Sequence, residues 1–273
     1  MIKLVVTDLD GTLLDNNSKI SDTNLQTIKY LVNCGIVVVF ATGRSLFSAK
    51  KVLHPGLPLD YLIFSSGAGI LNWKTNELVY SNVLDSFVVE QLIDLFKFHN
   101  LTFSVFKPIP DNHYYSFYIG DLSQSPDFNH RNLLYQAFAT PLNGFFGGAT
   151  QFLLSFNNSY NQVENLLQVI STQISDLSIV RATSPIDHTS VWIEIFSKFV
   201  SKQKGLEWLC LKLGITSEAI IGIGNDYNDL DFLHWVKYGY MVKNAPAEIR
   251  AGLLETDYNY LDGFTKAVKN HIK

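Results

Sequence analysis

Two cysteines, two methionines and eight prolines are all that 273 residues hold of these types. Cys34 and Cys210 are far apart and form no CxxC pair, so neither a disulfide framework nor a thiolate metal site is indicated. Both fall in helix-like contexts, where a cysteine reads as a small buried hydrophobe. A reducing, cytoplasmic setting fits. Charge is scarce as well: 17% of residues are charged, and no Lys/Arg-rich run offsets the net charge of −4. A nucleic-acid footprint is therefore not indicated. Long apolar runs are missing too. "GIVVVFA" has strand length, not membrane length. The opening "MIKLVVTDLDG" meets Asp8 too soon for a signal peptide. The seven histidines form no HExxH or clustered spacing, so none is assigned to catalysis or metal.

Hydrophobic residues, by contrast, reach 47%, ample for a packed core. The N-terminal part alternates strand and helix patterns. Ile2–Thr7 is a continuous apolar run, as in a strand buried on both faces. Ser21 or Asp22 can cap a helix over Asn24–Asn33, which Gly35 stops. Ile36–Thr42 is a second buried strand. Ser45 can cap a short helix to Leu53, and Tyr61–Ser66 is a third strand. This order predicts an α/β fold with a doubly wound, mostly parallel, Rossmann-like sheet. "ILNWKTNELVY" predicts a hairpin around Lys74–Glu77.

The middle of the chain differs. A helix over Ser86–His99 precedes the aromatic-rich strand candidates "TFSVF", "YYSFYI" and "QFLLSF", which the polar stretch Ser123–His130 interrupts. Tyr160–Ser175 is helical, and "VWIEIF" is another strand. Closely spaced strands with two helices predict an inserted α+β cap over 84–189, within a core of 1–83 and 190–273. The aromatics of the cap strands serve either its own core or a substrate pocket. Beyond the insert, a helix over Gln203–Leu213 stops at Gly214, "AIIGIG" is a buried strand, Asp229–Val236 is helical, "YGYMV" is a strand and Pro246 opens a helix.

Four stretches carry chemistry. In "TDLDGTLLD", Asp8 and Asp10 follow a buried strand, at the sheet edge where doubly wound folds bind ligands. Carboxylates so close repel unless a proton or cation intervenes, and Mg²⁺ suits oxygen ligands. In "VVFATGRS", Thr42, Gly43 and Arg44 follow another strand; their hydroxyl and N–H groups either make a turn or hold phosphate oxygens. Lys202 opens a helix whose dipole disfavours a cation there; it is a surface lysine or the partner of an anion. In "GNDYND", Asn225, Asp226, Asn228 and Asp229 exceed what one helix cap needs.

"DLDGTLLD", "ATGR", the Lys202 segment and "GNDYND", in this order, resemble the four motifs of the haloacid dehalogenase (HAD) superfamily. The hairpin and the position of the insert resemble its Cof-type (class IIB cap) subgroup, as do "VKNAPAEIR" and "YLDGFTKAV". The resemblance spans about 1–82 and 190–273. It implies a Mg²⁺-dependent phosphatase of small phosphorylated metabolites, sugar phosphates among the candidates, acting through an aspartyl-phosphate. Asp8 is then nucleophile and metal ligand. Asp10 is acid and base, its carbonyl on the metal. Leu9 N–H, Thr42, Gly43, Arg44, Lys202 and Asn228 hold substrate, and Asn225 and Asp229 complete the metal site. The cap is expected to close over the site and select the leaving group. A phosphotransferase or mutase, or a non-catalytic phosphometabolite-binding protein, is the alternative on the same fold. Three residues depart from the pattern. Asn225 stands where a metal-binding aspartate is usual, which predicts weaker Mg²⁺ binding but not its loss. Ser66 replaces an asparagine, and Gln203 replaces the glycine that usually follows the lysine; Lys204 matches less well than Lys202.

Overall fold

Runs of residues buried on both faces set the centre of the structure, a computed structural model that describes residues 1–144, 147–157, 163–184, 186–187 and 189–272. In chain order its strands and helices are β1 (Leu4–Thr7), α1 (Asp22–Asn33), β2 (Val37–Ala41), α2 (Leu46–Val52), β3 (Tyr61–Phe64), β4 (Gly69–Asn72), β5 (Glu77–Ser81), α3 (Ser86–Phe98), β6 (Phe103–Phe106), β7 (Tyr115–Tyr118), α4 (Phe128–Leu134), β8 (Ala139–Pro141), β9 (Phe152–Phe156), α5 (Val163–Gln173), β10 (Leu177–Thr183), β11 (Val191–Ser197), α6 (Lys202–Leu213), β12 (Ile220–Gly224), α7 (Leu230–Trp235), β13 (Tyr238–Val242), β14 (Leu254–Thr256) and α8 (Gly263–Lys269). The chain divides into two compact units, Met1–Ser81 with Ser201–Lys273, and Asn82–Val200.

The first unit is built on an eight-stranded sheet of order β14-β13-β12-β1-β2-β3-β4-β5. The first six strands are parallel; β4 and β5 form the antiparallel hairpin at one edge. Every residue of β1 and β12 is buried, as their unbroken apolar sequences predict. Caps fall where the sequence placed them. Ser21 Oγ accepts from Asn24 N at 3.1 Å and Ser45 Oγ from Ser48 N at 3.3 Å. The chain crosses from β1 to β2 on one side and returns through β12 on the other, so β1 stands at a topological switch point. The core is the Rossmann-like α/β sheet that the sequence predicts.

The second unit carries a six-stranded sheet of order β10-β11-β9-β6-β7-β8. On one face, side chains of α3 and α5 pack on alternate strand residues, with Phe96, Phe103 and Phe152 in mutual ring contact at 5.4–5.8 Å. Strand residues of the opposite parity meet α4. There Arg131 lies 4.5 Å from the Tyr115 ring and 5.1 Å from Phe106. Asp127, buried just ahead of α4, accepts from Ser155 Oγ, from Ser184 Oγ at 2.7 Å and from Trp192 Nε1 at 2.6 Å.

Several local expectations are corrected. The polar stretch Ser123–His130 runs into α4, a helix whose buried residues are Phe128 and Arg131, so its seat is half polar. β10 escaped notice because its burial is partial along most of its length. The second crossing between units follows Val200, not residue 189, because β11 pairs with β9 and β10. Pro246 opens a single 3₁₀ turn, Ala247–Ile249, and not a full helix. The expected helix start at Tyr160 lies outside the described residues.

Three donors converge on the Asp127 carboxylate in a buried place, and each would cost about 1–3 kcal/mol if left unpaired. Asp127→Ala is therefore expected to destabilise the second unit by about 3 kcal/mol or more, by the same reckoning. Denaturant unfolding followed by tryptophan emission, which Trp192 reports, checks this.

Candidate active site

All four motif stretches lie in the first unit. The backbone ladder carries β1 to Thr7, opposite Phe40 of β2 and Ile223 of β12. Asp8 follows, its N–H on the Ile223 carbonyl at 2.9 Å. Gly224 stands beside it, at the end of β12. A Cβ on Gly224 would lie 2.6 Å from Asp229 Cβ, so only glycine lets Asp229 reach this depth. Asp229 is fully buried, and Asp8 nearly so.

Lys202 enters from the first turn of α6 and is itself buried. Its Nζ donates to Asp8 Oδ1 at 2.6 Å and to Asp229 Oδ1 at 2.7 Å, and lies 3.4 Å from Asn228 Oδ1. The conflict between a lysine and a helix N-terminus is thus resolved by two carboxylates. Ser201 caps α6, accepting from Lys204 N at 3.2 Å. Asp231 Oδ2 accepts from Gln203 N at 3.3 Å. Burial raises the Asp231 carboxyl. The sequence reading passed over Asp231 because it looks like an ordinary first-turn acid of α7.

The second oxygen of Asp229 accepts from the backbone N–H of Asn225 at 2.9 Å and of Asp226 at 3.1 Å. Both oxygens are therefore engaged. Asp229, expected as a metal ligand, holds Lys202 and the loop after β12 in this arrangement. Asp226 caps the short turn that follows. Burial pushes the Asp8 carboxyl up to about 7; Lys202 opposes the rise, and Asp229 and Asp10 add to it. For Lys202 burial acts downward, but Asp229 and Asp8 outweigh it and hold the ammonium above its ordinary range.

Asp10 is different. It is half-exposed, and its two oxygens take Arg44 Nε and Nη2, each at 2.6 Å. Such a two-point pair fixes orientation as well as charge. Thr42 is buried, and its Oγ1 accepts from Arg44 N at 3.1 Å. Gly43 faces Ser66 Oγ and Asn228 Nδ2, which a Cβ at Gly43 would meet at 3.6 and 3.9 Å. Thr42, Gly43, Ser66, Asn228 and Lys202 thus share one neighbourhood. Ser66 has a φ of 54° and a buried hydroxyl that finds no hydrogen-bond partner among the described residues. Leu9 is buried, and its carbonyl accepts from the N–H groups of Thr12, Leu13 and Leu14.

One end of the Asn225 amide lies 2.9 Å from Thr12 Oγ1, 3.0 Å from the Asp10 carbonyl oxygen and 3.1 Å from Asp8 Oδ2. Neighbouring ligands of an octahedral Mg²⁺ stand about 3.0 Å apart when each is about 2.1 Å from the ion. The Asp8 carboxylate, the Asp10 carbonyl and the amide oxygen of Asn225 therefore fit as part of a Mg²⁺ ligand set, with a single formal charge among them. Among the described residues no cluster of three His, Cys, Asp or Glu side chains forms a metal site. Thr12 belongs to this group, although the sequence marked it only as part of the first motif.

A family model described as haloacid dehalogenase-like hydrolase matches residues 5–268. The chain belongs to that family. A 5-amino-6-(5-phospho-D-ribitylamino)uracil phosphatase of Bacillus subtilis is 24% identical over 275 residues, covering 99% of this chain and 96% of its own. Among solved HAD structures, a phosphatase from Bacteroides thetaiotaomicron superposes with a TM-score of 0.78 at 19% identity, covering 99% of this chain and 95% of that one. A subclass IIB sugar phosphatase superposes with a TM-score of 0.71 at 17% identity, covering 98% of each chain. These likenesses carry the fold of this HAD chain along its whole length. Among the described residues, no helix is long and apolar enough to cross a membrane.

Lys202→Met would leave two buried carboxylates facing each other. Breaking a buried ion pair costs about 3–5 kcal/mol. Without the ammonium, the folded-state pKa of Asp8 rises further above its unfolded value, and a raised carboxyl costs stability increasingly as pH climbs toward that folded pKa. The stability deficit of Lys202→Met is thus expected to be larger at pH 8 than at pH 5, measured by denaturant unfolding at both.

Proposed function

We propose that this chain is a Mg²⁺-dependent phosphatase of small phosphorylated metabolites, acting through an aspartyl-phosphate on Asp8. The observation that carries the reading is the buried Asp8–Lys202–Asp229 arrangement at the switch point of the sheet, two residues from an exposed carboxylate on Arg44. A buried carboxylate with a fixed ammonium beside it is suited to attack phosphorus, since the cation offsets the charge that two anions bring together.

In the first displacement an Asp8 oxygen attacks phosphorus. The bond from phosphorus to the ester oxygen breaks, and Asp10 delivers a proton to that oxygen. In the second, water attacks the phosphoryl group and gives a proton to Asp10, and the bond to Asp8 breaks as inorganic phosphate leaves. Arg44 holds one Asp10 oxygen with each of two nitrogens, so a proton on one oxygen releases one of those contacts and keeps the other as a guide. Lys202, the Leu9 N–H, Thr42, Gly43 and Asn228 would hold the phosphoryl oxygens. Asp8, the Asp10 carbonyl and Asn225 would hold Mg²⁺, which supplies charge neutralisation at the transferring group.

The substrate class we infer is a phosphate ester on a polyhydroxylated carbon chain. That chemistry is common to the ribityl phosphate and the sugar phosphates named for the relatives. A panel of phosphorylated metabolites including both kinds, run with and without Mg²⁺, is expected to release phosphate from such esters only with Mg²⁺ present. Asp8→Asn is expected to lose at least 10³-fold in kcat/KM, the scale on which loss of a nucleophile is felt; full activity in that variant would sink the nucleophile assignment.

Asp8 must be charged to attack, and its carboxyl is pushed up to about 7 before any cation binds. At limiting Mg²⁺, kcat/KM is expected to fall as pH drops below about 7. This acid limb should move to lower pH as Mg²⁺ is raised, because a nearby cation favours the charged form. A pH profile at two Mg²⁺ concentrations measures the shift.

A further inference from the structure

The amide of Asn225 presents one end to three atoms: Thr12 Oγ1, the Asp10 carbonyl oxygen at 3.0 Å and Asp8 Oδ2 at 3.1 Å. A carbonyl and a carboxylate can only accept. An oxygen at that end faces two acceptors and is repelled unless a cation lies among them. A nitrogen there has two protons for those two acceptors, and the Thr12 hydroxyl can accept or turn away. An ionised aspartate at this position has no donor to offer in either orientation.

The remaining oxygens of the site are already matched. Asp8 Oδ1 and Asp229 Oδ1 take Lys202, and Asp229 Oδ2 takes two backbone N–H groups. Asp8 Oδ2 and the Asp10 carbonyl are what the amide nitrogen completes. The outer end of the amide lies against Gly11, whose φ is +75° and whose Cβ, if present, would come within 2.7 Å of that end. Glycine there leaves room for the amide to turn.

We propose that Asn225 is a two-state latch on the cation site. With its nitrogen inward it closes the cation-free site, donating to Asp8 Oδ2 and the Asp10 carbonyl. With the amide turned by half a revolution, its oxygen faces inward as a neutral ligand for Mg²⁺. The latch rests on the reading of this site as a Mg²⁺ site, but not on what the enzyme hydrolyses. Its consequence is a site that stays assembled without the cation and that the cation opens by displacing hydrogen bonds. Counting formal charges, Asp8, Asp229 and Lys202 sum to −1 with asparagine at 225, and would sum to −2 with aspartate.

The test uses the purified full chain, stripped with a chelator, together with Asn225→Asp and Asn225→Ala. Thermal unfolding is read without cation, and Mg²⁺ binding is read by calorimetry with no substrate present. Asn225→Asp is expected to lower the cation-free Tm by about 3 °C or more, on the scale by which loss of one buried interaction moves a chain of this size. It should bind Mg²⁺ at least tenfold more tightly. Asn225→Ala, which has neither donor nor ligand, should also lower the cation-free Tm but should bind Mg²⁺ more weakly. A shared fall in Tm with opposite movements of affinity is the signature of the latch. A cation-free Tm of Asn225→Asp equal to or above that of the native chain overturns it, as does Mg²⁺ affinity that neither substitution moves. Neither readout needs turnover. A chain that hydrolyses no ester yet shows the signature keeps the latch and loses the phosphatase reading.

Discussion

One ammonium held between two buried carboxylates is the interaction to which the rest of the core is fitted. Lys202 cannot reach Asp8 and Asp229 unless α6 starts at the carboxyl edge of the sheet, and Asp229 cannot approach unless Gly224 has no side chain. Three buried charges would be costly. They are tolerated because the lysine serves one oxygen of each carboxylate and the backbone of Asn225 and Asp226 serves the second oxygen of Asp229, while Asp8 Oδ2 lies 3.1 Å from the Asn225 amide. Loop, helix start and strand end are thus tied to one another through a polar centre, between strands whose residues are buried throughout.

The central strands were legible because burial on both faces leaves no alternation to misread; Leu4–Val6 and Ile220–Gly224 are written in apolar residues and glycine throughout. The site residues were legible for a related reason. Carboxylates and amides directly after such a strand are out of place unless something binds them. What could not be read was partnership. Nothing in the order of residues says that both oxygens of Asp229 are spoken for, that Asp231 holds the first turn of α6, or that Thr12 faces Asn225 from 213 positions away. In the second unit the failure is of another kind. α4 packs through Arg131 and the neighbouring Asp127, polar residues that burial satisfies through rings and hydroxyls. Apolar periodicity has no signal for such a helix.

The two acids of the first motif show how environment divides chemically identical groups. Asp8 is buried, and burial favours its neutral form until a cation or the ammonium prevails. Asp10 lies two residues on, half in solvent and gripped at both oxygens by a guanidinium. A nucleophile gains from a dry setting with a fixed cation, and a proton carrier from contact with water and a partner that can release it. The strand places one inside and the turn carries the other out, so two-residue spacing is enough to separate the roles proposed for them.

Replacing an acid by an amide at 225 changes more than charge. An acid can face Asp8 and the Asp10 carbonyl only across a cation, so its site is open or strained when the cation is absent. An amide has a donor and an acceptor at nearly equal reach, and can satisfy the same two oxygens alone. The substitution therefore moves part of the organising work from the ion to the chain. On the proposed reading, the gain is a nucleophile held in place before the cation arrives, and the loss is a formal charge that would have drawn the cation in. Both follow from one atom's place, 3.0 Å from a carbonyl and 3.1 Å from a carboxylate.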